Sequence, residues 1–436
     1  MKSILITAPA SGSGKTTLTM GILRAIRNMG LDACAFKTGP DYIDRAFLEK
    51  ACKGRTGNLD MHLQGKEGVL SALSLISAEY CIVEGAMGYF DGIYNTYINS
   101  SYDISKELGI NSILVYTPKG EMFSAIPKIK GMAEFEASSI KAVIFNNTSG
   151  KHYEMLKEAL EKYTNLKVLG FLPKMDAAEL KSRHLGLVQS IELEDIDLKI
   201  EEISKIVSAN IDLDGIINLM KDINIGSEPD IRRYDIKAAI AKDKAFSFYY
   251  SENLDILERA CDVTYFSPME DECLPKCDLL YLGGGYPEVF KKELTKNKTM
   301  LASIKEYSRN GGYIYAECGG FMYLTESIDG EPMVGVFSGQ PGLTSKLQNF
   351  GYIDMELKVD CILGSKGDKA TAHEFHKSVS EIQKDTIFEI SKTMGNSTWE
   401  GGYLYKNTYG GYPHISFLGN IHVLQNILDS VERSKW

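Results

Sequence analysis

The strongest constraint on this chain is a rhythm. Short, continuous apolar runs alternate with segments of helical periodicity, and the series runs twice. "SILITA" precedes a helical stretch near 15–29, "DACAFK" one near 44–53, and "EYCIVEG" one near 103–109. "NSILVYT", "IKAVIFN" and "NLKVLGF" continue the first series. Such alternation predicts a parallel sheet with helices on both faces. Strands without polar alternation predict burial on both faces. The polar stretch "DINIGSEPDIRRYD" breaks the rhythm, and "IKAAIAK", "CDVTYFS", "CDLLYLGGG" and "GGYIYAE" restart it. "YIDMELKVD" and "GYLYKNTYGGY" alternate more and predict antiparallel additions. The expectation is an α/β chain with domains at 1–225 and 236–436 and a linker at 226–235. Its 436 residues, 44% of them hydrophobic, suffice for two cores.

Charge and cysteine usage narrow the function. A net charge of −10 argues against nucleic acid or an anionic membrane as partner. Any anionic ligand must meet local cations or helix N-termini. The eight cysteines are scattered, and "CLPKC" has no second pair to complete a zinc site, so reduced thiols are expected. No apolar run reaches membrane-spanning length and the N-terminal apolar run is too short for a signal peptide, so a cytoplasmic protein is expected.

"APASGSGKTTLTMGILRAI" is a phosphate cradle. Gly12, Ser13 and Gly14 follow a strand and open a helix at Lys15, so backbone N–H groups can converge on phosphate oxygens. Lys15 would reach the terminal phosphates of ATP, Thr16 would offer its hydroxyl to Mg²⁺, and Thr17 follows in the same cradle. Pro9 stands where the strict motif has glycine. Glu84 ends the apolar strand of "CIVEGAMGYFDG", and Asp41, Tyr42 and Asp44 lie just past another strand in "FKTGPDYID". Thr16, Asp41 and Glu84 are the candidate metal ligands, because Mg²⁺ takes a few hard oxygens beside substrate phosphates. Asn146 ends "AVIFN", where its amide could read an adenine edge.

"YIYAECGGFMYL" reads as strand, cysteine, tight glycine turn and helix. This is a nucleophile elbow with a thiol in place of serine, and it makes Cys318 the candidate nucleophile for a thioester intermediate. Gly284, Gly285 and Gly319 are candidates for an oxyanion hole. His414 in "YGGYPHISFLGN" is the candidate base, and His373 and His376 in "AHEFHKS" are alternatives. The latter motif is one residue short of the zinc-protease helix, so that reading is rejected.

"SGSGKTT", "KTGPDYID", "VEGAMGYFDG", "SRHLGL", "AFSFYYSENL", "GGGYPE", "AECGGFMYL" and "HEFHKS" occur in this order across nearly the whole chain. Together they resemble cobyrinic acid a,c-diamide synthases. That resemblance implies a P-loop, dethiobiotin-synthetase-like synthetase domain fused to a class I glutamine amidotransferase domain. It implies ATP, Mg²⁺ and glutamine as cofactors and nitrogen source, and a tetrapyrrole polycarboxylate as substrate. Cys318 and His414 would release ammonia, and ATP would activate the a and c carboxylates as acyl phosphates. Asp41, Tyr42, Glu84 and Asp91 match family positions associated with metal, nucleotide and substrate, and Tyr42, Asp44 and Asp91 are the candidate substrate residues. The resemblance extends to enzymes that amidate nickel sirohydrochlorin. A more distant alternative is a nucleotide-switched regulatory ATPase with an inert second domain, although Ala10 stands where such ATPases carry an extra lysine. A third is a stand-alone glutaminase or cysteine hydrolase in which the P-loop only regulates. Two positions depart from the family pattern. Ser416 replaces its second C-terminal histidine, which leaves the third member of the triad unassigned. "VYTPKG" lacks the usual acidic strand end. Oligomeric state is open, and a homodimer is compatible with the sequence.

Overall fold

A computed structural model describes residues 1–175 and 196–435. The motif around His184 lies outside the described residues. The chain divides into two compact units, Met1–Met61 with Lys66–Glu228, and His62–Gly65 with Pro229–Trp436.

The first unit is built on strands β1 (Lys2–Thr7), β2 (Ala33–Thr38), β3 (Thr56–Leu59), β4 (Tyr80–Glu84), β5 (Ser112–Tyr116), β6 (Ile140–Phe145) and β7 (Lys167–Phe171), with β8 (Lys221–Asp222). They form a sheet in the order β3-β2-β4-β1-β5-β6-β7, and β8 pairs antiparallel with β1. All the other pairings are parallel. Every residue of β2, β4 and β5 is buried, as their largely apolar sequences predict. Parallel strands end at one edge, so the loops after β1, β2 and β4 emerge side by side.

Helix α1 (Lys15–Asn28) starts after Gly14 and lays Leu18, Ile22 and Ile26 into the core. It packs on the helix Ile196–Asn210, whose Ile200, Ile203 and Val207 are fully buried. Arg24 of α1 is buried and ties three helices together. It donates to the carbonyls of Lys50 and Ala51 at the end of α2 (Tyr42–Cys52), 2.8 and 3.1 Å away, and to Asp197 at 2.6 Å. Those carbonyls lack intrahelical donors, so the guanidinium also serves as a cap.

The second unit contains β9 (Lys237–Ala241), β10 (Phe246–Phe248), β11 (Asp262–Phe266), β12 (Leu279–Leu282), β13 (Gly284–Gly285) and β14 (Tyr313–Glu317). A small hairpin follows, β15 (Ser327–Ile328) and β16 (Glu331–Pro332). Then come β17 (Gly339–Leu357), β18 (Lys369–Ile382), β19 (Thr386–Lys392), β20 (Thr398–Tyr405), β21 (Thr408–Gly411) and β22 (His414–Ile415). The main sheet runs β11-β9-β12-β14-β21-β20-β19-β17-β18-β22. It is parallel from β11 to β21 and antiparallel from there to β22. The expected antiparallel additions are therefore present. They include a hairpin of 19- and 14-residue strands with two register shifts.

Gly21 lies on the side of α1 that packs against the helix Ile196–Asn210. A β-carbon there would lie 2.6 Å from Val207 Cγ2 and 2.8 Å from Ile203 Cγ2. Both neighbours are β-branched and stiff. Gly21→Ala is therefore expected to destabilise by about 1–2 kcal/mol, although alanine is the better helix former by roughly 1 kcal/mol. Denaturant unfolding of the full chain checks this, and a stabilised variant would contradict the close packing.

Candidate active sites

The first cluster lies at the carboxyl edge of the first sheet. Gly14 has φ +84°, and a β-carbon on it would stand 2.2 Å from Asn146 Nδ2. Glycine therefore meets both a dihedral and a space requirement. Asn146 Nδ2 donates to the Ser13 carbonyl at 2.9 Å and to Thr117 Oγ1 at 3.3 Å. The amide expected to read an adenine edge thus holds the phosphate loop at Ser13. Lys15 is buried and donates to the Met87 carbonyl at 2.5 Å and the Ala10 carbonyl at 3.4 Å. Burial, then the charge of Lys37, push Lys15 down to about 8.

Thr16 Oγ1 donates to Glu84 Oε1 at 2.7 Å and approaches Asp44 Oδ2 at 3.3 Å. Lys37 enters the same cluster, 2.6 Å from Glu84 and 2.8 Å from Asp44. Burial opposes its charge, but Asp44 and Glu84 outweigh that and raise it. The Lys37 ammonium also outweighs the burial of Asp44 and lowers that carboxyl. Asp41, expected among the metal ligands, has a different duty. Its Oδ1 caps α2 by accepting from the N–H groups of Ile43 and Asp44, each at 3.0 Å. Burial and the neighbouring Asp44 push it up to about 7. Asp44, expected at the substrate, takes the place beside Thr16. A one-turn offset along α2 explains the exchange, since capping claims the first carboxylate.

Tyr42, expected at the substrate, opens α2 with its side chain buried. Asp91 accepts from the Gly88 N–H at 2.9 Å, closing the loop that carries Met87. Lys37 was missed in the sequence. Its signal was a lysine in an otherwise apolar, wholly buried strand.

The second cluster surrounds Cys318, between β14 and the short helix Gly319–Tyr323. Cys318 has φ +46° and ψ −103°, a conformation costing about 1–3 kcal/mol for a residue with a β-carbon. Hydrogen bonds hold the turn: Cys318 N–H to the Gly411 carbonyl at 2.7 Å and Gly320 N–H to the Gly283 carbonyl at 2.9 Å. Cys318 is 5% exposed, and His414 of β22 is hydrogen-bonded to it. Burial opposes charge on His414, but Cys318 and then Glu317 outweigh it and raise the imidazole to about 10. Gly284 faces this ring, since a β-carbon on it would lie 2.4 Å from His414 Cε1. A β-carbon on Gly319 would lie 2.9 Å from the Gly285 nitrogen. The three glycines expected at an oxyanion hole thus border the thiol and its base.

The alternative histidines have other roles. His373 pairs with His414 across β18 and β22, and burial, then the His414 charge, push it down to about 3. His376 contacts Glu374 at 3.1 Å and stacks on Tyr412 with centroids 3.7 Å apart.

A phosphate loop in one unit and a strained thiol with a histidine in the other define a glutamine-dependent amide ligase. Comparisons agree: the CobQ/CobB/MinD/ParA nucleotide binding domain model matches residues 4–188, and the CobB/CobQ-like glutamine amidotransferase domain model matches residues 237–421. The cobyrinate a,c-diamide synthase of Clostridium tetani is 43% identical over 98% of this chain and 100% of its own length. That of Clostridium acetobutylicum is 41% identical over 98% and 100%, and that of Streptococcus sanguinis 37% over 100% of both. The chain belongs to the cobyrinate a,c-diamide synthase family. Among the described residues no helix is long and apolar enough to cross a membrane.

Lys15 carries its charge below about pH 8 and loses it as pH rises through that value. Nucleotide affinity is therefore expected to weaken above about pH 8 in a fluorescence titration with an ATP analogue. Lys15→Ala should bind weakly at every pH and lack the step. An alkaline step that survives in Lys15→Ala would assign it to another group.

Proposed function

We propose that this protein amidates the a and c side-chain carboxylates of a cobyrinic-acid-type tetrapyrrole, using ATP and glutamine. The observation that carries this reading is the pairing of Cys318 with a buried, charge-stabilised His414 in a chain whose phosphate-loop residues Lys15 and Thr16 also meet Met87, just beyond β4, and Glu84 at its end.

In the second unit the Cys318 sulfur attacks the amide carbon of glutamine. The Gly284, Gly285 and Gly319 backbone borders the oxygen that becomes negative. The His414 imidazolium gives its proton to the departing ammonia, and water then hydrolyses the thioester to glutamate. In the first unit a substrate carboxylate oxygen attacks the γ-phosphorus of ATP, releasing ADP and leaving an acyl phosphate. Ammonia attacks the acyl carbon, and phosphate departs with the former carboxylate oxygen. A carboxylate is a poor electrophile, and phosphorylation supplies its leaving group. Lys15 and Lys37 set positive charge where the phosphates would lie. Two carboxylates use two ATP and two glutamine.

Glu84 Oε2 is buried without a hydrogen-bond partner among the described residues. With the Thr16 hydroxyl and Asp44 it forms a set of hard oxygens suited to Mg²⁺, which would complete its shell from phosphates and water. When bound there, Mg²⁺ neutralises phosphate charge. The segment after β4, which brings Met87 to Lys15, exposes Met87, Tyr94, Tyr97 and Ile98. Such apolar surface suits a flat macrocycle whose carboxylates reach toward Lys15. A cytoplasmic location fits substrates of this kind.

Cys318→Ala is expected to abolish glutamine-dependent amidation while added ammonia still supports it, and Lys15→Ala to abolish both. Product mass from cobyrinic acid and from nickel sirohydrochlorin, each with ATP and glutamine, checks the substrate. Two added amides on cobyrinic acid are expected. Turnover of nickel sirohydrochlorin alone would reassign the substrate. Loss of ammonia-driven synthesis in Cys318→Ala would overturn the separation of the two chemistries.

A further inference from the structure

Glu317 immediately precedes the candidate nucleophile, and its carboxylate is buried. A buried carboxylate is costly unless its lone pairs are satisfied and its charge is met. Oε1 accepts from the Tyr315 hydroxyl at 2.6 Å and from the Ile415 N–H at 3.1 Å. Oε2 accepts from the Tyr281 hydroxyl at 3.0 Å and faces His414 Nδ1 at 3.6 Å. The charge is thus met by the imidazole, and both oxygens are held in place by donors on three different strands.

Backbone strain accounts for how neighbouring residues reach one ring. In an extended strand successive side chains point to opposite faces. At Cys318 the positive φ breaks that alternation, and both Glu317 and Cys318 interact with His414. With Nδ1 turned to the carboxylate, Nε2 is left for the sulfur. The residue two after His414 cannot replace this contact, since the Ser416 hydroxyl is buried without a hydrogen-bond partner among the described residues.

Resting on the reading of Cys318 and His414 as the glutamine-hydrolysing pair, we infer that Glu317 is the third member of the triad. It orients the His414 ring and stabilises the imidazolium through a carboxylate carried by the nucleophile's own strand. The carboxylate does not take the proton. It fixes which nitrogen carries hydrogen and lowers the cost of charge on the ring while ammonia leaves.

The surrounding ionisable groups leave this role to Glu317. Burial first, and Glu317 among the charges, raise Tyr249, Tyr281, Tyr315 and Tyr409 well above the ordinary phenol range, so they remain neutral. His373 is pushed down to about 3 and is also neutral near pH 7. Removing the carboxylate therefore lowers the pH at which His414 loses its proton.

The experiment measures glutamate release by the full-length protein between pH 6 and 10.5, with ammonia-driven, ATP-dependent amidation as the control for folding. Glu317→Gln keeps the shape and loses the charge. It is expected to lower kcat for glutamine hydrolysis by at least about 100-fold with a far smaller change in KM; loss of the orienting carboxylate of a serine-protease triad costs about 10⁴-fold. The alkaline limb of kcat/KM should move to lower pH by about one unit or more. Glu317→Asp should recover part of the rate, and ammonia-driven amidation should stay at the wild-type level. An unchanged rate and profile in Glu317→Gln would overturn the inference, and so would a parallel loss of ammonia-driven amidation, which marks a structural role only. If Glu317→Gln does not fold, Tyr315→Phe, which keeps the carboxylate and removes one of its donors, should lower kcat several-fold and move the alkaline limb the same way. An unmoved limb there counts against the role. Wild-type glutaminase activity in Cys318→Ala or His414→Ala would instead sink the underlying reading.

Discussion

The parallel strand is the constraint from which both candidate sites follow. Strands that run the same way deliver their loops to one edge. In the first unit β1 leads to Lys15 and Thr16, β2 ends just past Lys37, and β4 ends at Glu84. Lys15 and Met87, 72 positions apart, thereby come within hydrogen-bond distance. In the second unit β12 leads to the glycines at 283–285 and β14 to Cys318. There the parallel set supplies the candidate nucleophile and the glycine backbone, while an antiparallel extension folds back to contribute His414. The crevice beyond the carboxyl edge of an α/β sheet is where ligands are generally bound, because helix starts and loop amides collect there.

Both clusters use the same electrostatic device. A cation is buried among anionic groups, and its charge survives because they outweigh the desolvation. Lys37 stands among Glu84, Asp44 and Asp41. His414 stands between Cys318 and Glu317. In the proposed mechanism Lys37 would hold positive charge where phosphate oxygens arrive, and His414 would hold a proton for a leaving group. Lys15 is tuned the other way by burial and by Lys37. Its charge is thus the one most sensitive to a bound anion.

The sequence made the parallel cores legible because their strands are continuous apolar runs, and periodicity reports burial. It made Lys15, Thr16, Glu84 and Cys318 legible because glycine clusters at strand ends have few other uses. Partners chosen by side-chain direction were harder to read. Asp41 and Asp44 lie three residues apart in one motif, and only the capping of α2 decides which carboxylate turns toward Thr16. Lys37 was hidden because it sits inside a strand that otherwise reads as core. Glu317 was hidden because strand alternation places neighbours on opposite faces, and that rule fails at the strained cysteine. The outer half of β17 was hidden for a third reason. It is largely exposed and contains Pro341 and Gly342, so it lacks the alternation that marks a half-buried strand.

In the proposed mechanism nitrogen release and carboxylate activation are separate reactions joined by ammonia, and activation passes through an acyl phosphate. The most direct measurement is oxygen transfer. Substrate labelled with ¹⁸O in its side-chain carboxylates is turned over with ATP and glutamine, and the released phosphate is analysed by mass. One ¹⁸O in phosphate for each amide formed is the expected result. Phosphate free of label, with amide still formed, would contradict the account.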